Sequence, residues 1–129
     1  MPTQTEQDTG TAATIVAIQR FDAAFNRHDL AAVMACITDD CVFENTSPAP
    51  DGQRHEGREA VRTAFAEFFQ SSPHAVFEIE ELFASGDRGT VRWCYRWIEP
   101  GGHAGHVRGV DVMRVRDGHV AESFAYVKG

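Results

Sequence analysis

The sequence predicts an α+β domain in which three N-terminal helices pack on a mostly antiparallel sheet. Two observations carry this. From Ala75 onward every segment reads as strand: AVFEIEELFA, TVRWCYRWIE, HVRGVDVMRV and HVAESFAYV, separated by the hairpin signals SGDRG, PGGHAG and RDGH. Before Ala75, apolar residues recur at helical spacing, broken by one strand-like run, DDCVFEN. The order is therefore helix, helix, strand, helix, then a meander of four strands.

Each element has its own signal. Residues 1–11, MPTQTEQDTGT, are polar and aperiodic and are expected to be a disordered tail, leaving 12–129 as a single domain. Ile15, Ile18, Phe21, Asp22 and Phe25 follow helical spacing until Asn26 and His28 interrupt it. Asp29 is placed to cap a second short helix with the stripe Leu30, Val33, Met34 and Ile37. After DDCVFEN, the stretch NTSPAPDGQRHEG reads as a loop, and a third helix starts near Gly57 with Val61, Phe65, Phe68 and Phe69 on one side. Asp117–Gly118 is the strongest turn signal, because a type I′ turn needs two positive φ angles.

Composition narrows the function classes. The net charge of −7 comes from interspersed acids and bases, and no basic patch invites nucleic acid. A neutral or cationic small partner is expected. The three cysteines, Cys36, Cys41 and Cys94, form no CxxC and read as free thiols of a cytoplasmic protein. The six histidines show no zinc spacing, so no metal is expected. No apolar run approaches a membrane span, and no membrane association is expected.

Strand alternation then separates two faces. Val107, Gly109, Asp111, Met113 and Val115 share one face with Trp93, Tyr95 and Trp97 of the neighbouring strand. The other face holds Arg92, Cys94, Arg96, Ile98, Arg108, Val110, Val112 and Arg114. A one-sided antiparallel sheet shows clean polar alternation on its wet face, and this face does not. The helices cover one side only, so a second copy of the chain is expected on the outer face, as a homodimer. The alternative is a wet face with scattered valines.

Three stretches, FNRHDLAAVMACITDDCVFEN, HEGREAVRTAFAEFF and GVDVMRVRDGHVAES, resemble in order the nuclear transport factor 2-like superfamily. It includes ketosteroid isomerases, limonene epoxide hydrolases and SnoaL-type polyketide cyclases. The resemblance spans roughly residues 13–127. It implies a curved sheet wrapped against three helices, a cone with an internal pocket, and commonly a dimer through the outer sheet face. Functional residues transfer only in part. The isomerase tyrosine of the first helix falls at Phe21, its general-base aspartate at Asn45, and its protonated aspartate at Asp111. In the epoxide hydrolases the water-positioning asparagine matches Asn45, but its accompanying tyrosine is Phe43. Their central-strand arginine and aspartate fall at Tyr95 and Trp97, and their last-strand aspartate at Ala125. Neither catalytic set is retained.

Alternation and resemblance agree on an inward Asp111. The same reading places Asn45, Phe21, Phe43, Phe65, Phe69, Ser123 and Ala125 around the pocket, with Gly109 leaving room beside Asp111 and Met113 on the same face. Apolar walls with a few polar atoms are the usual make-up of a small-molecule site. A carboxyl there has a raised pKa, fit for a proton donor or base near neutral pH. The competing reading is that Asp111 hydrogen-bonds Tyr95, Asn45 or backbone N–H groups and braces the sheet. Two functions are expected from this. One is a cofactor-free isomerase, cyclase, hydratase or lyase acting on a small apolar carbonyl compound, with Asp111 moving the proton and Asn45 orienting. The other is a non-catalytic dimeric protein binding a small hydrophobic molecule. Nothing resembles a phosphate cradle, so no cofactor is implied.

Overall fold

The computed structural model describes residues 3–128, and the side chains of all of these except 4–9. Helices α1 (Gln4–Asn26) and α2 (Leu30–Met34) precede strands β1 (Ile37–Glu44) and β2 (Arg54–Glu56). Helix α3 (Arg58–Ser71) leads into the meander β3 (Val76–Ser85), β4 (Arg88–Ile98), β5 (Ala104–Arg116) and β6 (His119–Val127). The six strands form one curved open sheet in the order β2-β1-β6-β5-β4-β3. All neighbours are antiparallel except β1 and β6, which run parallel. All three helices precede the meander, but two strands lie among them.

Two local expectations need adjustment. Helix α1 begins at Gln4, so residues 4–11 continue the first helix instead of trailing as a tail; residues 1 and 2 lie outside the described residues. Two hydroxyls tie this first part to the β3–β4 turn. Thr11 Oγ1 accepts from Gly86 N at 2.8 Å, and Thr14 Oγ1 donates to Gly86 O at 2.6 Å. Inside the expected loop, Arg54–Glu56 forms the short edge strand β2, pairing His55 with Phe43. Three residues are too few to show alternation, which is why it reads as loop.

The chain turns where its residues demand it. His28 ends the first helix with φ +55°, and the Asp29 side chain caps α2 by accepting from Ala32 N at 3.1 Å. Asp117 and Gly118 take φ +52° and +75°, the two left-handed residues of the expected hairpin turn. Asn26 fixes the end of α1 to the sheet edge: its amide donates to Phe77 O and accepts from Phe77 N, both at 2.9 Å.

One face of the sheet packs on the helices. Ile18, Val33, Val61, Val91, Met113 and Val120 are fully buried there. Beside them the inner face is aromatic, with Phe77 and Trp93 among its residues. Cys36, Cys41 and Cys94 are free thiols.

Candidate functional site

Between α1, α3 and the inner face lies a cavity of about 210 Å³. Phe21 and Phe25 reach it from α1, Phe65 and Phe68 from α3, Phe43 from β1, Phe77 from β3 and Trp93 from β4. These rings pack edge to face and tilted, as aromatic quadrupoles prefer. Phe43 and Phe65 have centroids 4.9 Å apart, Phe77 and Trp93 5.0 Å, and Phe25 and Phe65 5.3 Å. Ser123 and Ala125 of β6 complete the floor beside Asp111.

Asp111 enters because of register. It pairs with Val91 across β4 and with Ala125 across β6, and Trp93 pairs with Gly109 two residues earlier on β5. All lie on the inner face. Gly109 is required there: a Cβ at this position would come within 2.7 Å of Trp93 Cη2 and would also strike Tyr126 O. The Asp111 carboxyl touches the cavity but is otherwise enclosed. Burial pushes its pKa from the usual 3.8 up to about 7, against the pull of the facing Trp93 indole, which favours the charged form.

A second carboxyl stands in the same cavity. Asp22 follows Phe21 on α1, and its pKa is pushed up to about 8, first by burial and then by repulsion from Asp111. Its Oδ2 is sealed from solvent without a hydrogen-bond partner. The same is true of His55 Nε2, which also lines the cavity, while Trp93 Nε1, equally sealed, faces only the Asp111 carboxyl. Buried polar atoms are satisfied in the great majority of cases, and here sealed atoms from Asp22 and His55 without a partner gather around one hollow.

The expected site residues divide into three groups. Phe21, Phe43, Phe65, Trp93, Asp111 and Ser123 line the cavity. Asn45 lies at its exposed rim, where it is tied to the neighbouring loop. Its Oδ1 accepts from Gln53 N at 2.7 Å and its own N–H donates to Gln53 O at 3.1 Å. The expected brace between Asp111 and Asn45 or Tyr95 is not among the side-chain hydrogen bonds of the described residues. The others are elsewhere. Tyr95 and Trp97 lie on the inner face, but about 7 and about 13 Å further along β4 than Trp93 at the usual rise per residue; their rings pack tilted against each other, 5.6 Å apart. Met113 is wholly inside the core, and Gly109 is covered by the Trp93 ring. Phe69 turns away to stack on His28 at 4.8 Å, and Phe68, one residue earlier, takes the cavity position.

The sequence reading missed Asp22, His55, Phe25, Phe68 and Phe77 as wall residues. Asp22 had a signal: an acid lying on the apolar stripe with Ile18 and Phe25. His55 had none, since β2 is too short to show its parity. Among the described residues no group of three or more His, Cys, Asp or Glu could hold a metal ion, and no helix is long and apolar enough to cross a membrane.

Sheet order, helix placement and an inner-face cavity define a nuclear transport factor 2-like domain, and comparison with known proteins agrees. A family model for the SnoaL-like domain matches residues 18–123. Among solved structures, the chain is similar to a nuclear transport factor 2-like protein of unknown function from Mesorhizobium loti. The two share 43% identity over 92% of this chain and 93% of that one, with a TM-score of 0.77. At fold level it also resembles a proposed polyketide cyclase from Sinorhizobium meliloti (21% identity, 85% and 93% covered, TM-score 0.72). Another fold relative is a protein with a ketosteroid isomerase-like fold from Catenulispora acidiphila, in complex with trimethylamine (17% identity, 85% and 83% covered, TM-score 0.74). No curated protein matches. The chain belongs to the SnoaL-like family of the nuclear transport factor 2-like superfamily.

Proposed function

We propose that this protein is a cofactor-independent acid–base enzyme, of the isomerase, cyclase, hydratase or lyase type, acting on a small and largely apolar carbonyl compound. The observation that supports it best is Asp111: a carboxyl titrating at about 7 inside an aromatic cavity of about 210 Å³. A group with that pKa exchanges protons with a carbonyl substrate near neutral pH, as donor to its oxygen or as base towards its α-carbon. The rings supply the affinity. Asn45, held by Gln53 at the rim, orients what enters.

One observation favours a second reading. Asn45 is an amide at the place where ketosteroid isomerases carry their base, so the cavity also suits a non-catalytic binding protein. The two readings separate in one experiment. A panel of small aromatic and polyketide-like ketones is incubated with the protein in deuterated water, and exchange of α-hydrogens is followed by NMR. The enzyme reading expects exchange that falls by about 10²-fold or more in Asp111→Asn. Ketones that bind without exchanging would leave the binder reading in its place.

The assembly belongs to the same proposal. The outer face exposes Val76, Phe83, Ile98 and Tyr126 beside Arg92, Arg96, Arg108 and Arg114, a mixture suited to an interface core. A homodimer through this face, in the cytoplasm where the free thiols stay reduced, is the arrangement we propose. Sedimentation showing a monomer at micromolar concentration would remove it.

A further inference from the structure

We infer that the cavity takes an organic cation, a small molecule whose ammonium group sits between the aromatic rings and the carboxyls of Asp22 and Asp111. This rests on the reading of the cavity as a small-molecule site, and not on any reaction there.

The walls are suited to positive charge in two independent ways. Seven aromatic side chains line the cavity, and the π-faces of such rings attract cations, most strongly where water is excluded. The charged and titratable groups of the wall are mainly acidic. Asp22 comes from α1, Asp111 from β5, Glu44 from β1 and His55 from β2, while α3, β3, β4 and β6 contribute none and no Lys or Arg takes part. Glu44 is already committed to Arg54, 2.9 Å away. Among the described residues, Asp22 and Asp111 have no basic partner.

Ligand charge then decides which molecules fit. An anion adds to the repulsion between the two carboxyls. A neutral ligand leaves that repulsion and the burial as they are. A cation opposes both, and lets one carboxyl ionise while the other keeps its proton. The proton leaves Asp111 for solvent as the cation enters, since Asp22 holds its own more firmly. The Trp93 indole N–H, which faces Asp111 from a residue 96% enclosed, then meets an ionised acceptor.

The test uses the full chain and two probes of the same shape: choline, and the uncharged alcohol in which carbon replaces its nitrogen. Isothermal titration is run at about pH 6 and about pH 8, either side of the Asp111 titration. Choline is expected to bind about tenfold more tightly at the higher pH, with proton release, and about tenfold more tightly there than the alcohol. The alcohol is expected to show no pH dependence. In Asp22→Asn the pH dependence centred on Asp111 persists, because Asp22 is still protonated while Asp111 titrates. In Asp111→Asn the repulsion on Asp22 disappears, so the pH dependence that remains is that of Asp22 alone, at lower pH than its wild-type titration, which a merely structural role for Asp111 would not produce. Equal affinity for the two probes, or a choline affinity unchanged between the two pH values, overturns the inference. If neither probe binds while a small aromatic ketone does, the cation is wrong and the reading of the cavity as a small-molecule site stands; if none of the three binds, both fall.

Discussion

The two faces of the central sheet are built from the same strands, one residue apart, yet they treat charge in opposite ways. On the outer face Arg96 meets Glu78 at 3.2 Å, Arg108 meets Glu80 at 3.4 Å, Arg92 meets Glu81 at 3.5 Å, and Arg114 bridges Asp87 and Glu122 at 3.6 and 3.7 Å. Each of these arginines has an acidic partner and a partly exposed side chain. On the inner face Asp111 shares its hollow with Asp22, and neither has a basic partner among the described residues. Paired charges in water contribute little, whereas unpaired charges away from water are expensive and move their pKa values instead. The outer face is therefore electrostatically cheap, and the inner face stores an unmet demand. The difference teaches that position relative to the helices, and not residue type, decides which carboxylates are available for chemistry.

This contrast can be broken in several places. The largest effect is expected from Trp93→Ala, which empties the centre of the inner face. Trp93 is 4% exposed, and such truncations cost about 3–5 kcal/mol; chemical denaturation reads this directly. Next comes Asp22→Asn. In the wild type the folded carboxyl titrates at about 8 and the unfolded one near 3.8. Between those values the folded state binds a proton that the unfolded state lacks, so stability is full at low pH and declines as pH rises towards 8. The variant lacks the Asp22 part of this decline and keeps only that of Asp111. It should match wild type near pH 4 and exceed it above pH 8 by on the order of 2–4 kcal/mol. A wild-type denaturation midpoint that stays level across this range would show that Asp22 is not held as the cavity suggests.

Smaller effects sharpen the comparison. Gly109→Ala forces a methyl against the Trp93 ring and should cost about 1–3 kcal/mol by overpacking, visible as a lower melting temperature. On the outer face Arg96→Ala removes the pair with Glu78, with both side chains more than half exposed, and should change stability by less than about 1 kcal/mol, shrinking further in high salt. An outer-face loss as large as the Trp93 loss would erase the distinction between the faces; in that case the arginines are buried in an assembly.

Much of this was legible in the chain. The hairpin at Asp117–Gly118, the Asp29 cap and the inward placement of Asp111 with Trp93 all follow from signals within a few residues. Tyr95 and Trp97 show the limit of that reasoning. Their parity is right, yet the cavity does not extend as far along β4 as the alternation does. Phe68 and Phe69 show a second limit: both fit the apolar side of α3, and only the docking angle of that helix selects Phe68 for the cavity.

The sequence alone determined what is local. Side-chain parity has a period of two residues and turn type depends on a few φ angles, so both can be read from short stretches. The tertiary structure alone decided the meeting of Asp22, Asp111 and His55 in one aromatic hollow. Those residues come from a helix, a central strand and an edge strand, and their proximity depends on how α1 lies across the sheet and on β2 pairing with β1. Their burial and mutual repulsion, and hence their chemistry, arise only once those elements have packed.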